Sequence, residues 1–170
     1  MTAAPLILTA LLAEPDQARF DRLREAHFPA HLNHIAAHVT LFHHLPGEGK
    51  AAVDQVLAAV AAGTVRFEAA VTGLRSLGRG VAFTLASPQL GAVRAAVARV
   101  FHDRLTPQDR QGFRPHVTIQ NKVTAAEAGA LLGRMQAEFV PFDVQVEGLG
   151  LWYYEGGPWS PAGRHAFRPR

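Results

Sequence analysis

Apolar positions recur along this chain with two alternating periods, and each switch marks the border of a predicted element. Residues 5–12 are a short apolar run and predict a buried strand. From Pro15 the spacing lengthens. Phe20, Leu23, Ala26 and His27 share one helical face over residues 15–27, with Pro15 in the first turn and Pro29 as the stop. Residues 35–45 alternate as a strand, and Pro46-Gly47 turns the chain. Residues 51–62 are alanine-rich, with Val53, Val56, Leu57 and Val60 on one helical face and Gly63 as the stop. Residues 65–74 alternate again, Gly78-Arg79-Gly80 predicts a hairpin turn, and residues 81–85 return.

The second half repeats this grammar. Residues 88–105 predict a helix with Leu90, Val93, Val97, Val100 and Phe101 as its stripe. Residues 106–113 read as a polar loop and 114–123 as a strand. Thr124 with Glu127 has capping-box spacing and opens a helix. Residues 140–154 form a long strand region, 155–163 a Gly/Pro-rich loop and 164–167 a short last strand.

Two of these strands carry one pattern, His-x-Thr-x: His38-Val39-Thr40-Leu41 and His116-Val117-Thr118-Ile119. Successive side chains of a strand point to opposite faces. His38 and Thr40 therefore share one face, Val39 and Leu41 the other, and the same holds for the second copy. Each strand anchors its apolar face in a core and offers an imidazole and a hydroxyl opposite. The copies lie 78 positions apart, and a second match, Phe67…Val71…Gly73-Leu74 with Phe142…Val146…Gly148-Leu149, lies 75 apart. That agreement points to an internal duplication. Duplicated units generally pack about a pseudo-two-fold axis, which would bring both imidazoles and both hydroxyls to one cleft.

Composition narrows the class. A length of 170 residues with 48% hydrophobic and 18% charged side chains suits one globular domain over 1–170. The absence of cysteine excludes disulfides, zinc–cysteine sites and a thiolate nucleophile, and suits a cytoplasmic protein. A net charge of +3 permits a phosphate-bearing partner without demanding one. The apolar run at 6–13 has no Lys or Arg before it and ends at Glu14-Pro15, so it reads as a strand and not as a leader. No run is long enough to span a membrane.

Paired histidines suit in-line displacement at phosphorus. One neutral imidazole takes a proton from the attacking oxygen while the protonated one gives a proton to the leaving oxygen. Thr40 and Thr118 can donate hydrogen bonds to the non-bridging oxygens. This chemistry needs neither metal nor nucleotide cofactor. Arg114 and Lys122 flank the second motif and could hold substrate phosphates. His44 is in phase with His38 and Thr40, and among Trp152, Tyr153 and Tyr154, Tyr154 is the candidate to stack a base.

The two motifs resemble those of the two-histidine phosphoesterase superfamily, and within it the 2′-5′ RNA ligase and RNA 2′,3′-cyclic phosphodiesterase group. The resemblance implies a bilobal α+β fold in which two pseudo-equivalent lobes form two antiparallel sheets with outer helices and a central groove. It implies a monomeric, metal-independent phosphodiesterase for 2′,3′-cyclic phosphate ends of RNA or 2′-5′ phosphodiesters, reversible as ligation. His38 and His116 would be catalytic, and Thr40 and Thr118 phosphate-binding. Its substrates would be RNA ends or a small cyclic nucleotide.

Two rivals use the same residues. His27, His31, His34 and His38 have helical spacing for a metal site, against which stand Pro29 and the β-rich Val39-Thr40-Leu41. A non-catalytic module that binds RNA ends would keep the groove, but has no need of both imidazoles.

Overall fold

A computed structural model describes residues 3–170. The chain runs β1 (Leu6–Leu12), α1 (Glu14–His27), β2 (Val39–Leu45), α2 (Lys50–Ala62), β3 (Phe67–Ser76), β4 (Val81–Ala86), α3 (Pro88–Phe101), α4 (Pro107–Arg110), β5 (His116–Gln120), α5 (Ala125–Glu138), β6 (Phe142–Tyr154) and β7 (Trp159–Ala166). All the strand ladders are antiparallel, in the order β1-β2-β5-β4-β3-β6-β7.

The sheet also closes on itself, because β6 pairs with β1 as well as with β3. The length of β6 makes this possible. Its first residues, Phe142 to Val146, pair with β3, and its stretch from Val146 to Tyr153 pairs with β1. The expected two sheets are thus a single closed one. Between β2 and β5 it is held by one register pair, Val39 with Val117.

Local rules account for the helices. Ser87 caps α3 by accepting from the Leu90 N–H, with Pro88 in the first turn. Thr124 and Glu127 form the reciprocal capping box of α5, a feature typically contributing about 0.5–2 kcal/mol. Leu90, Val93, Val97 and Phe101 of α3 are buried, whereas Val100 is 59% exposed. Positions 93, 97 and 101 step by four, and residue 100 falls on the far flank of that stripe.

The core forms one cluster. It includes Val39, Leu41, Val117 and Ile119, which are all buried. Fully burying a side chain of this size is worth about 1.5–3 kcal/mol, so the apolar faces of both motif strands are firmly anchored. Arg24 of α1 is buried as well, with its guanidinium over the Phe28 ring. It donates to Asn33 Oδ1 (2.7 Å) and to the Thr118 carbonyl (3.1 Å), tying the approach to β2 to strand β5.

Among the expected boundaries that shift, three bear on the site. The first motif strand starts at Val39 rather than at residue 35, leaving His38 at its mouth. The polar loop at 106–113 contains α4, started by Thr106, whose hydroxyl accepts from the Asp109 N–H. The last strand begins at Trp159, inside the expected loop. Pro161 is tolerated there because the β6–β7 ladder shifts register between Leu151 and Trp152, and proline sits well at such irregularities.

Candidate active site

Continuing the Val39–Val117 register by one residue in each direction sets Thr40 across from His116 and His38 across from Thr118. Cross-strand neighbours of this kind have Cβ atoms about 4.5–5.5 Å apart. Both histidines and both threonines are half-buried, and their intervening valines are buried on the other face. Each imidazole therefore stands beside the other motif's hydroxyl.

The backbone at each histidine is held from both sides. Ala37, just before His38, donates its N–H to Asp21 Oδ1 (2.8 Å), and its carbonyl accepts from Gln17 Nε2 (2.7 Å). Both partners belong to α1. The residue before His116 is Pro115, which has no N–H to satisfy, and its carbonyl accepts from the Leu85 N–H (3.0 Å). The rings are fixed in the same way in both copies. His38 Nδ1 lies 2.8 Å from the Ala36 carbonyl, and His116 Nδ1 lies 2.9 Å from the Arg114 carbonyl. A carbonyl can only accept, so Nδ1 carries the hydrogen and Nε2 is left as the proton-transfer atom.

Burial pushes the His38 imidazole down to about 4. It outweighs the bond to Ala36, which acts the other way, and the charges of Arg24, His116 and His43 add to the depression. His116 is also lowered, by burial first and then by the Arg75 and His43 charges against the opposing bond to Arg114. Each histidine is thus close enough to its neighbours to feel their charge.

Two cavities open at this constellation. The first, about 370 Å³, contains His38 and is walled by Trp152, Trp159 and apolar atoms of β1. The Trp159 ring centroid lies 4.6 Å from that of His38. Trp152 donates its indole N–H to Thr9 Oγ1 (2.9 Å). Gly150 leaves room for that bond, since a Cβ there would come within 3.1 Å of both bonded atoms. Thr9 pairs with Thr40 across β1 and β2, which places a further hydroxyl beside the motif.

The second cavity, about 620 Å³, contains Thr40 and His116 together with His43, Arg75, Arg94, Asp109 and Arg114. Asp109 is buried and accepts from the backbone N–H groups of His43 and His44 (2.8 Å each) and from His43 Nδ1 (3.2 Å). Burial alone would raise its carboxyl, but these bonds hold it below the usual carboxylate range. The two N–H groups are available because the β1–β2 ladder is irregular here, passing from Leu8–Phe42 to Leu6–Leu45.

Of the residues singled out in the sequence, Arg114 lines the second cavity, while Thr118, His44, Lys122 and Tyr154 line neither. The irregular β2 ladder moves His43, not His44, into the position beside Thr40. Lys122 is exposed in the turn after β5, with φ at +62°. Tyr154, 42% exposed, ends β6, and the nearby aromatic side chains facing the site are Trp152 and Trp159. His27, His31, His34 and His38 are spread over the end of α1, a short helical turn and two loops. Among the described residues no three His or acidic side chains group closely enough to hold a metal ion. No helix among them is long and apolar enough to cross a membrane.

Sequence reasoning missed Thr9, Arg75, Asp109 and Trp159, and preferred His44 to its neighbour His43. Thr9 left one trace, a single polar residue inside an apolar strand.

The family profile of the 2′-5′ RNA ligase superfamily matches residues 12–158. No curated protein sequence matches. Among solved structures, TT0787 of Thermus thermophilus superposes with a TM-score of 0.70 at 17% identity, covering 98% of this chain and 99% of that one. E. coli LigT complexed with NADP+ gives 0.62 at 17% identity with 99% of each chain covered. LigT complexed with 3′-AMP gives 0.60 at 16%, covering 96% and 98%. At these identities the likeness is one of fold.

Proposed function

The chain belongs to the 2′-5′ RNA ligase superfamily, and from that premise we propose a metal-independent phosphodiesterase acting on 2′,3′-cyclic phosphate ends of RNA or on 2′-5′ phosphodiesters. Membership supports an enzyme of the phosphoesterase or ligase type. The observation that carries the finer reading is the pairing of Val39 with Val117, equivalent residues of the two motifs, in antiparallel register. Exchanging the two halves of the chain carries each ladder among β1 to β6 onto another ladder or onto itself. We read this as a pseudo-two-fold axis through the valine pair, within one domain of two lobes, with the two cavities forming a groove across it. The nucleotides in the LigT complexes agree with a nucleotide or RNA substrate.

In hydrolysis, water attacks the phosphorus of the cyclic ester. His38, the more strongly depressed imidazole, takes the proton of that water at Nε2. The bond from phosphorus to one ribose oxygen breaks, and His116 gives its Nε2 proton to that oxygen, leaving a monoester and a hydroxyl. Ligation is the same displacement with an RNA 5′-hydroxyl attacking the cyclic phosphate in place of water, forming a 2′-5′ diester as the 3′-oxygen leaves with a proton, and its reverse cleaves a 2′-5′ diester back to the cyclic phosphate. Thr40 and Thr118 donate to the non-bridging oxygens as negative charge concentrates on them. Positioned acid–base groups contribute about 10² to 10⁴-fold in rate, and no step draws on a cofactor.

The proposal is tested with RNA ended in a 2′,3′-cyclic phosphate, a 2′,3′-cyclic nucleotide and a 2′-5′-linked dinucleotide, all with EDTA present. Turnover of at least one, with an ordinary 3′-5′ dinucleotide left intact, is the expected outcome. Failure on all three, with RNA ends still bound, would replace the enzyme by a binding module.

A further inference from the structure

Arg75 lies in the cavity of His116 but has no role in the proton transfers. It stands on β3 across from Ala82 of β4, which in turn stands across from Thr118 of β5. Residues directly opposite one another across a sheet share a face, so Arg75 emerges on the face of Thr118 and His116. Two strand spacings, about 10 Å, separate the β3 and β5 backbones, and only the small Ala82 side chain stands between. The guanidinium is near enough that its charge depresses His116. Its Nε is buried and lacks a hydrogen-bond partner, and among the described residues no acidic side chain pairs with Arg75. An unpaired buried donor on a fixed cation is costly unless a ligand satisfies it.

His43 faces the same cavity from β2, its Nδ1 fastened to Asp109, and in its protonated form it offers Nε2–H as a second donor. Arg114 adds charge at the rim. The first cavity, by contrast, is mainly apolar and walled by indoles. Arg164 is the one arginine lining that cavity, against Arg75, Arg94 and Arg114 in the second, so the site is more cationic on the His116 side.

We propose that Arg75 and His43 form a second anion site that takes the phosphate adjoining the scissile one. This rests on the phosphodiesterase reading and narrows its substrate class. The preferred ligand is an RNA end, whose terminal nucleotide carries a 5′-phosphodiester as well as the cyclic phosphate. A cyclic mononucleotide leaves Arg75 unpaired.

The test is calorimetric binding of adenosine 3′,5′-bisphosphate and adenosine 3′-monophosphate to wild type, Arg75→Gln, Arg75→Lys and His43→Gln. A hydrogen bond to a charged group is worth enough to change affinity about tenfold or more. Wild type is expected to prefer the bisphosphate by about that factor. Arg75→Gln should bring the ratio close to one, while Arg75→Lys keeps part of it and His43→Gln reduces it. Equal affinity of wild type for both probes would overturn the second site and leave the phosphodiesterase reading standing. Equal weakening of both probes by Arg75→Gln would also overturn it, placing Arg75 at the scissile phosphate instead. Wild type binding neither nucleotide would overturn both readings.

Discussion

His38→Ala and His116→Ala each lower kcat on a cyclic-phosphate-ended RNA by about 10² to 10⁴-fold, with the fold intact. The fold tolerates both changes because each ring makes one protein hydrogen bond, through Nδ1 to the carbonyl two residues earlier, and neither side chain is part of the apolar core. The strands are anchored by Val39 and Val117 on the other face, which the variants leave alone. Acid and base act in one displacement, so the double variant should be little worse than the weaker single one. Steady-state kinetics on the four proteins, with circular dichroism to confirm folding, measures this. Either single variant retaining wild-type kcat would remove that histidine from the mechanism.

Thr40→Val is expected to lower kcat by about 10² to 10³-fold, the usual loss when one donor to a developing oxyanion is removed. Thr40 lies across from His116 and lines its cavity, which sets its hydroxyl on the side of the imidazole proposed to protonate the leaving oxygen. Valine keeps the shape and has high strand propensity, so stability should hold or rise. Thr40→Ser restores the donor and should recover most of the rate. An unchanged kcat in Thr40→Val would mean that threonine serves the strand alone.

What could be read from the sequence was what strand periodicity controls. The burial of Val39, Leu41, Val117 and Ile119, with His38, Thr40, His116 and Thr118 left half-exposed, follows from alternation within five residues. The capping box at Thr124 and Glu127 was equally local. The partnership of Val39 with Val117 was not local, since nothing within either strand specifies its neighbour across 78 residues. Nor was the closing of the sheet, which depends on one long strand, β6, pairing with both β3 and β1.

Alternation also carried His44 one step too far, because irregular pairing of β2 with β1 shifts the phase after Leu41 and brings His43 to the cavity. Trp159 was hidden by turn-like neighbours, Ser160 and Pro161, in an edge strand whose register shift accommodates the proline. Arg75 lay just past the expected strand at 65–74, and only the pairing of β3 with β4 and of β4 with β5 sets it on the face of Thr118 and His116.

The proton exchange between the two imidazoles is tested most directly by the pH dependence of kcat/KM for wild type and both histidine variants. Both imidazoles are depressed in the free protein, so each loses its proton at a lower pH than an ordinary histidine. Activity falls in acid as the base becomes protonated and falls towards neutrality as the acid loses its proton. The wild-type profile should therefore be a bell with its maximum below about pH 6.5, its limbs belonging to the coupled pair. His38→Ala should keep only the limb that falls as pH rises, and His116→Ala only the limb that falls as pH drops. A complete bell surviving in either variant would contradict the account.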